Sequence, residues 1–155
     1  MIGAFEGDLI RPLGLVTLYF AYAEGEVDEL LAVLNARQSC PMSTLNWTVG
    51  QKISRALLLI EELAAPNLND LVERLKELQE LAGSRNQLIH GRLFNGDGGL
   101  GTLISSNSNI PNTRVSAADI EQLADRIFTC KEYLSMHRCR HLLPALGKGE
   151  PPSGT

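Results

Sequence analysis

Long apolar runs are missing from this chain. No stretch reaches the ~18 residues that a membrane-crossing helix needs, and Glu6 and Asp8 interrupt the start, so neither a membrane span nor a signal peptide is expected. Cysteine is scarce: Cys40, Cys130 and Cys139 are odd in number and lack paired spacing. That excludes a disulfide framework and points to a reducing compartment, the cytoplasm by default. A basic excess is also missing. The net charge of −4 does not announce a nucleic-acid binder, although the charge is unevenly placed. Residues 1–35 set Glu6, Asp8, Glu24, Glu26, Asp28 and Glu29 against Arg11, whereas residues 127–148 set Lys131, Arg138, Arg140 and Lys148 against Glu132. No internal repeat, paired carboxylates or nucleophile triad stands out.

What is present is ordinary globular composition, 44% hydrophobic and 21% charged over 155 residues. A chain of this length forms one domain and buries about two-thirds of its unfolded surface. Apolar residues recur at helical spacing through Leu9, Leu13, Val16, Phe20, Ala23, Val27, Leu30 and Leu34, which predicts one helix over 9–36. Gly25 invites a bend, and a glycine at the stripe edge invites close approach of another helix. Thr48-Val49-Gly50-Gln51 reads as a capping box opening a second helix that stops at Pro66. Trp47 reads as a packing residue at that start. Asn67 or Asn69 is expected to cap the third helix, whose stripe runs from Leu68 toward Ile89, and Gly83 invites a kink. Residues 91–114 are rich in glycine and asparagine and read as an irregular β-hairpin or long loop. Ser116 and Asp119 cap a last helix that Pro144 ends. The predicted fold is all-α: an up-and-down four-helix bundle over residues 1–146, with a β-hairpin or loop insert between helices 3 and 4 and a disordered tail at 147–155.

The densest chemistry lies in Ser84-Arg85-Asn86-Gln87-Leu88-Ile89-His90-Gly91. A cation, an amide and an imidazole close an otherwise apolar helical pattern. Arg85 offers a bidentate grip on phosphate, His90 a proton donor or acceptor near neutral pH, and Asn86 a group that positions either. On a straight helix Asn86 and His90 share a face, with Arg85 about 140° round from His90. The same residues also suit a plain helix end, with cations complementing the dipole and Gly91 closing the turn.

The R-x-x-x-x-H pattern of Arg85 and His90, with polar Asn86 directly after the arginine, resembles the motif of the HEPN superfamily. The order of helices over residues 8–143 is similar to that family as well. The resemblance implies a metal-independent endoribonuclease in which the RNA 2′-hydroxyl attacks the adjacent phosphorus, leaving a 2′,3′-cyclic phosphate and a 5′-hydroxyl. Arg85, His90 and Asn86 would be catalytic: His90 moving a proton at the attacking or leaving oxygen, Arg85 stabilising phosphoryl charge, Asn86 orienting the pair. It further implies a homodimer that joins two motifs in one cleft, an RNA substrate, and a setting as a toxin or phage-defence component, with a nucleotidyltransferase-type antitoxin as a partner. Family members without ribonuclease activity make the alternative a dimeric binding module for a partner protein or nucleotide. No cofactor and no metal are expected.

Other clusters carry less. His137 and His141 share a helical face, but Cys139 lies about 160° away from either, short of a structural zinc set. With Arg138 and Arg140 the segment reads as a basic helix end, so Arg92, Arg138, Arg140 and His141 are the candidate RNA-binding residues. Glu24 is either a solvated acid or a partner for Arg85 or His90. Gly96–Gly101 lacks the Lys-Ser/Thr of a phosphate loop and reads as a hairpin tip.

Overall fold

A computed structural model describes residues 9–40, 42–95, 101–104 and 113–147. The tail assigned to 147–155 therefore lies, from residue 148, outside the described residues, as does the tip at 96–100. The fold is all-α in its core. It comprises α1 (Ile10–Asn35), α2 (Val49–Glu62), α3 (Asn69–His90), α4 (Ala117–His137) and a short α5 (Leu143–Gly147). Between α3 and α4, three short strands, β1 (Arg92–Asn95), β2 (Gly101–Ile104) and β3 (Thr113–Val115), pair antiparallel in sequence order. Leu93 stands opposite Leu103, and Thr102 opposite Arg114.

The apolar stripes build the core. From α1, Val16, Phe20, Ala23, Val27, Leu30 and Leu34 are buried. They meet Ile53, Ala56 and Ile60 of α2, Leu71, Leu75 and Leu78 of α3, and Ile120, Ile127 and Leu134 of α4. α1 and α3 each pack chiefly on α2 and α4, with a smaller contact between α1 and α3 themselves. The capping boxes form as the sequence predicts. The Thr48 hydroxyl accepts from the Gln51 backbone while the Gln51 side chain takes the Thr48 N–H. Asp119 does the same for Ser116, and the hydrogen bonds from the Ser116 backbone and hydroxyl hold its carboxyl below the usual range. The cap expected at Asn67 or Asn69 is absent. A single 3-10 turn, Pro66–Leu68, feeds α3 directly, and Leu68 holds the cap position without a side-chain hydrogen bond. Pro144 does not end α4 either. α4 gives way at His137 to a π turn, Arg138–Leu142, and Pro144 sits in the first turn of α5, where its missing N–H costs nothing.

The up-and-down order is corrected by three contacts, one between α1 and α4 and two that involve the segments just beyond their C-terminal ends. Tyr19 and Phe128 rings lie 4.9 Å apart, Arg138 pairs with Glu26 at 3.1 Å, and Arg37 donates to the Leu146 carbonyl. Position rises along both helices together, so α1 and α4 run parallel, whereas the first and last helices of an up-and-down bundle oppose one another. α3 opposes α4: Arg126 meets Glu77 at 3.9 Å, and the Cys130 thiol donates to the Arg74 carbonyl at 3.3 Å. The tight connection after Glu62 makes α2 oppose α3, and hence run with α1. The physical reason lies in residues 36–48. Extended, that connection spans about 40 Å, ample to return along the bundle.

Backbone misfits of two opposite kinds occur. Gly25 and Gly83 sit inside unbroken helices, and a Cβ on either would meet nothing within 4 Å. They serve no close helix approach, and no break in α1 or α3 marks them. Ala64, in the α2–α3 connection, has φ 47°, a left-handed conformation that costs an L-residue about 1–2 kcal/mol. Gly25→Ala is therefore expected to stabilise by about 0.5–1 kcal/mol, and Ala64→Gly by a similar amount. Urea midpoints of the two variants and the double variant check this, and the double should show the sum because the sites share no contact.

Candidate functional site

α3 carries the Arg85 segment at its C-terminal end. Leu88 is buried and anchors the last turn, which leaves Asn86 and His90 exposed and Arg85 half-buried. Arg85 leans toward α1, its guanidinium carbon 5.0 Å from the Phe20 ring centroid. Phe20 is itself 5% exposed and fixed in the core. A guanidinium over an aromatic face keeps its charge while losing rotamer freedom. Its Nη1 donates to Asn86 Oδ1 at 3.0 Å, and its Nε is buried without an acceptor. The structure thus brings Arg85 and Asn86 together. Among the described residues no hydrogen bond joins His90 to either. His90 lies free at the helix end, where the chain turns through Gly91 into β1. Gly91 has φ −76° and ψ 162°, extended rather than left-handed, so its glycine character is not needed to close the helix.

Glu24 reaches neither Arg85 nor His90. It pairs with Lys52 at 3.1 Å, and Asp28, one turn on, pairs with the same ammonium at 2.8 Å. Burial of Lys52 works against its charge, but the two carboxylates outweigh it and raise its pKa above the ordinary 10.5. Lys52 was not legible as a buried residue. The signal was the i, i+4 pair Glu24 and Asp28 beside an apolar stripe, which calls for a cation on the facing helix.

The candidate RNA-binding residues divide. The side chain of Arg92 lies outside the described residues. Arg138 is not free: its guanidinium is held by Glu26, with both side chains largely buried. Arg140 is exposed and His141 half-buried. All three sit beyond the last turn of α4. The α3–α4 register places Ala117 at the level of Asn86, so the backbone of these residues lies about 30 Å along the bundle from that of the Arg85 segment, while the Arg85 and Arg138 guanidinium groups reach Phe20 and Glu26, less than two turns apart on α1. One chain does not gather the two groups into one cleft. The sequence put them together by charge alone, and the antiparallel pairing of α3 and α4 separates them.

At that far end the π turn sets the His137 and His141 rings 5.3 Å apart, with Tyr133 stacked on His137 at 6.3 Å and Arg74 over the Tyr133 ring at 4.7 Å. Cys139 stays exposed. Among the described residues no three His, Cys, Asp or Glu side chains converge on a point that could hold a metal. His137 is buried, and its Nδ1 has no partner. Burial first, and then the positive potential of His141, Arg74 and Arg140 against an opposing Asp70, pushes its pKa below the ordinary 6.5. The unfolded chain therefore binds this proton before the folded one does. Stability is full above pH 6.5 and falls as pH drops below it through the folded value. Between pH 7.5 and 5.5 the wild-type urea midpoint is expected to fall more than that of His137→Leu. Parallel slopes for the two would show that His137 is not titrating out of register with the unfolded chain.

No helix of the described residues is long and apolar enough to cross a membrane. No protein-family model matches the chain, and no curated protein and no solved structure matches it significantly.

Proposed function

We propose that this chain is a metal-independent endoribonuclease of HEPN type. The observation that supports it is the seating of Arg85: a guanidinium stacked on core residue Phe20 and tied to Asn86, one turn from an unengaged, exposed His90. A helix cap needs no such arrangement, because among the described residues Arg85 makes no bond to a terminal carbonyl. In the proposed reaction the RNA 2′-hydroxyl gives up its proton as it attacks phosphorus, and the 5′-oxygen of the next nucleotide takes one as it leaves. His90 serves one of those transfers. Arg85 offers its remaining N–H groups to the phosphoryl oxygens as charge builds on them. Asn86 holds the guanidinium in place.

Arg85 and His90 do not meet within one chain, so the reading includes a homodimer in which two α3 ends face one cleft. Leu18 and Tyr22 on α1, exposed at 45% and 52%, and Phe128 on the adjacent α4 support an apolar face for that contact. Light scattering is expected to report twice 16.9 kDa. A monomer at micromolar concentration would remove the composite cleft. The second reading, a catalytically silent dimer that binds a partner protein or nucleotide, is favoured by that same separation of Arg85 from His90. The settings of a toxin or phage-defence component and of a nucleotidyltransferase-type antitoxin partner belong to the proposal.

The deciding experiment is incubation of purified protein with single-stranded RNA in excess EDTA. Fragments carrying 2′,3′-cyclic phosphate and 5′-hydroxyl ends are expected. Intact RNA, or 3′-hydroxyl ends, would sink the catalytic reading.

A further inference from the structure

A groove of about 580 Å³ runs along α2 on its α3 side, within the roughly 300–1,000 Å³ of small-ligand sites. Its lining is amphiphilic. Met42, Trp47 and Leu58 supply apolar surface; Ser54, Arg55 and Gln79 supply polar groups. Thr48 and Gln51 also border it, but they are spent on the α2 capping box. Arg55 is the distinctive member. It is half-buried, its Nε is closed off with no acceptor, and its guanidinium makes no hydrogen bond or ion pair among the described residues. Of the other half-buried arginines, Arg74 and Arg138 each hold a carboxylate, and Arg85, which holds none, belongs to the α3 site already described. A half-buried guanidinium without an acid calls for an anion from outside. Beside it Trp47 offers a half-buried indole, the surface on which a nucleobase stacks.

We propose that this groove binds one nucleoside monophosphate unit of single-stranded RNA, the base on Trp47 and the phosphate on Arg55. The inference rests on the ribonuclease reading for its choice of RNA over a free nucleotide. α2 opposes α3, so the Trp47 end of the groove points toward the Arg85 end of α3, and Gln79 precedes Arg85 by about 9 Å along the helix axis. A strand seated here continues toward the scissile site, and the groove reads a nucleotide beside the cleaved one. Trp47 and Arg55 bind substrate in this account and take no part in bond breaking.

Trp47 is the chain's single tryptophan, so indole fluorescence reports on this groove alone. The His90→Ala protein, which binds without cutting, is titrated with adenosine 5′-monophosphate and with a short oligoadenylate. Saturable quenching by both is expected, the oligoadenylate at least tenfold tighter. Arg55→Gln should weaken that quench about tenfold. With labelled oligoadenylate followed by anisotropy, Trp47→Ala should weaken binding roughly five- to a hundredfold, while Trp47→Phe, which keeps an aromatic face, should retain most of it. No saturable quench, or a quench indifferent to Arg55→Gln, overturns the site. Equal affinity for mononucleotide and oligonucleotide overturns the RNA assignment. Cleavage by wild type without quenching removes this groove and leaves the ribonuclease reading. Quenching without cleavage does the reverse.

Discussion

RNA cleavage is expected to fall by about two to three orders of magnitude when His90 is replaced by Ala, and by a similar factor in Arg85→Ala. The two losses have different causes. His90→Ala removes the group that moves the proton. Arg85→Ala removes charge stabilisation. Arg85→Lys discriminates further: it keeps a cation but loses the planar fork and its seat on Phe20, so it should recover only a small part of the activity. Stability separates chemistry from scaffolding. His90 is exposed and makes no hydrogen bond or ion pair among the described residues, and His90→Ala should leave the stability within about 0.5 kcal/mol of wild type. Arg85 is half-buried on Phe20, and its loss should cost about 1 kcal/mol. Wild-type cleavage in both variants would end the catalytic assignment. Unfolding of both would make the segment a helix end and nothing more.

Much of the helical frame was legible because it is written in short-range rules. The stripe from Leu9 to Leu34 repeats at the helical period, and burial of Val16, Ala23 and Val27 follows from it. Thr48–Gln51 and Ser116–Asp119 carry their caps in four residues each. Legibility ended where an answer depended on residues far apart. The direction of α2 hangs on the return path of residues 36–48, and a loop that long permits both directions. Glu24 found its partner on another helix, so its role could not be read from its own neighbours. The same limit governs the site. That Arg85, Asn86 and His90 lie together at the C-terminal end of one helix was plain from spacing. That Arg85 turns inward onto Phe20, while Arg138 is spent on Glu26, depends on how α3 and α4 lie against α1. The sequence pattern places charge on a helix face, and packing decides which charges remain free.

That packing is most exposed to test at Leu75. The side chain is fully buried in the middle of α3 and ranks among the largest such residues in the core. Leu75→Ala removes apolar surface and leaves a cavity, because helices on both sides hold their positions. The expected loss is about 2–5 kcal/mol, against a total stability of roughly 5–15 kcal/mol for a domain. The melting temperature should drop by roughly 5–15 °C. Leu58→Ala is the matched control. Leu58 is 55% exposed on α2, so the same atoms removed there should shift stability by no more than about 0.5 kcal/mol. The denaturant slope should be unchanged in both, since neither alters the surface exposed on unfolding. The consequence for the site is indirect. α3 positions Arg85 from its far end, so Leu75→Ala should lower RNA cleavage chiefly by lowering the folded fraction, with activity per folded molecule nearly kept at low temperature. A Leu75→Ala protein as stable as Leu58→Ala would mean that α3 does not pack through Leu75, and the placement of Arg85 against Phe20 would fall with it.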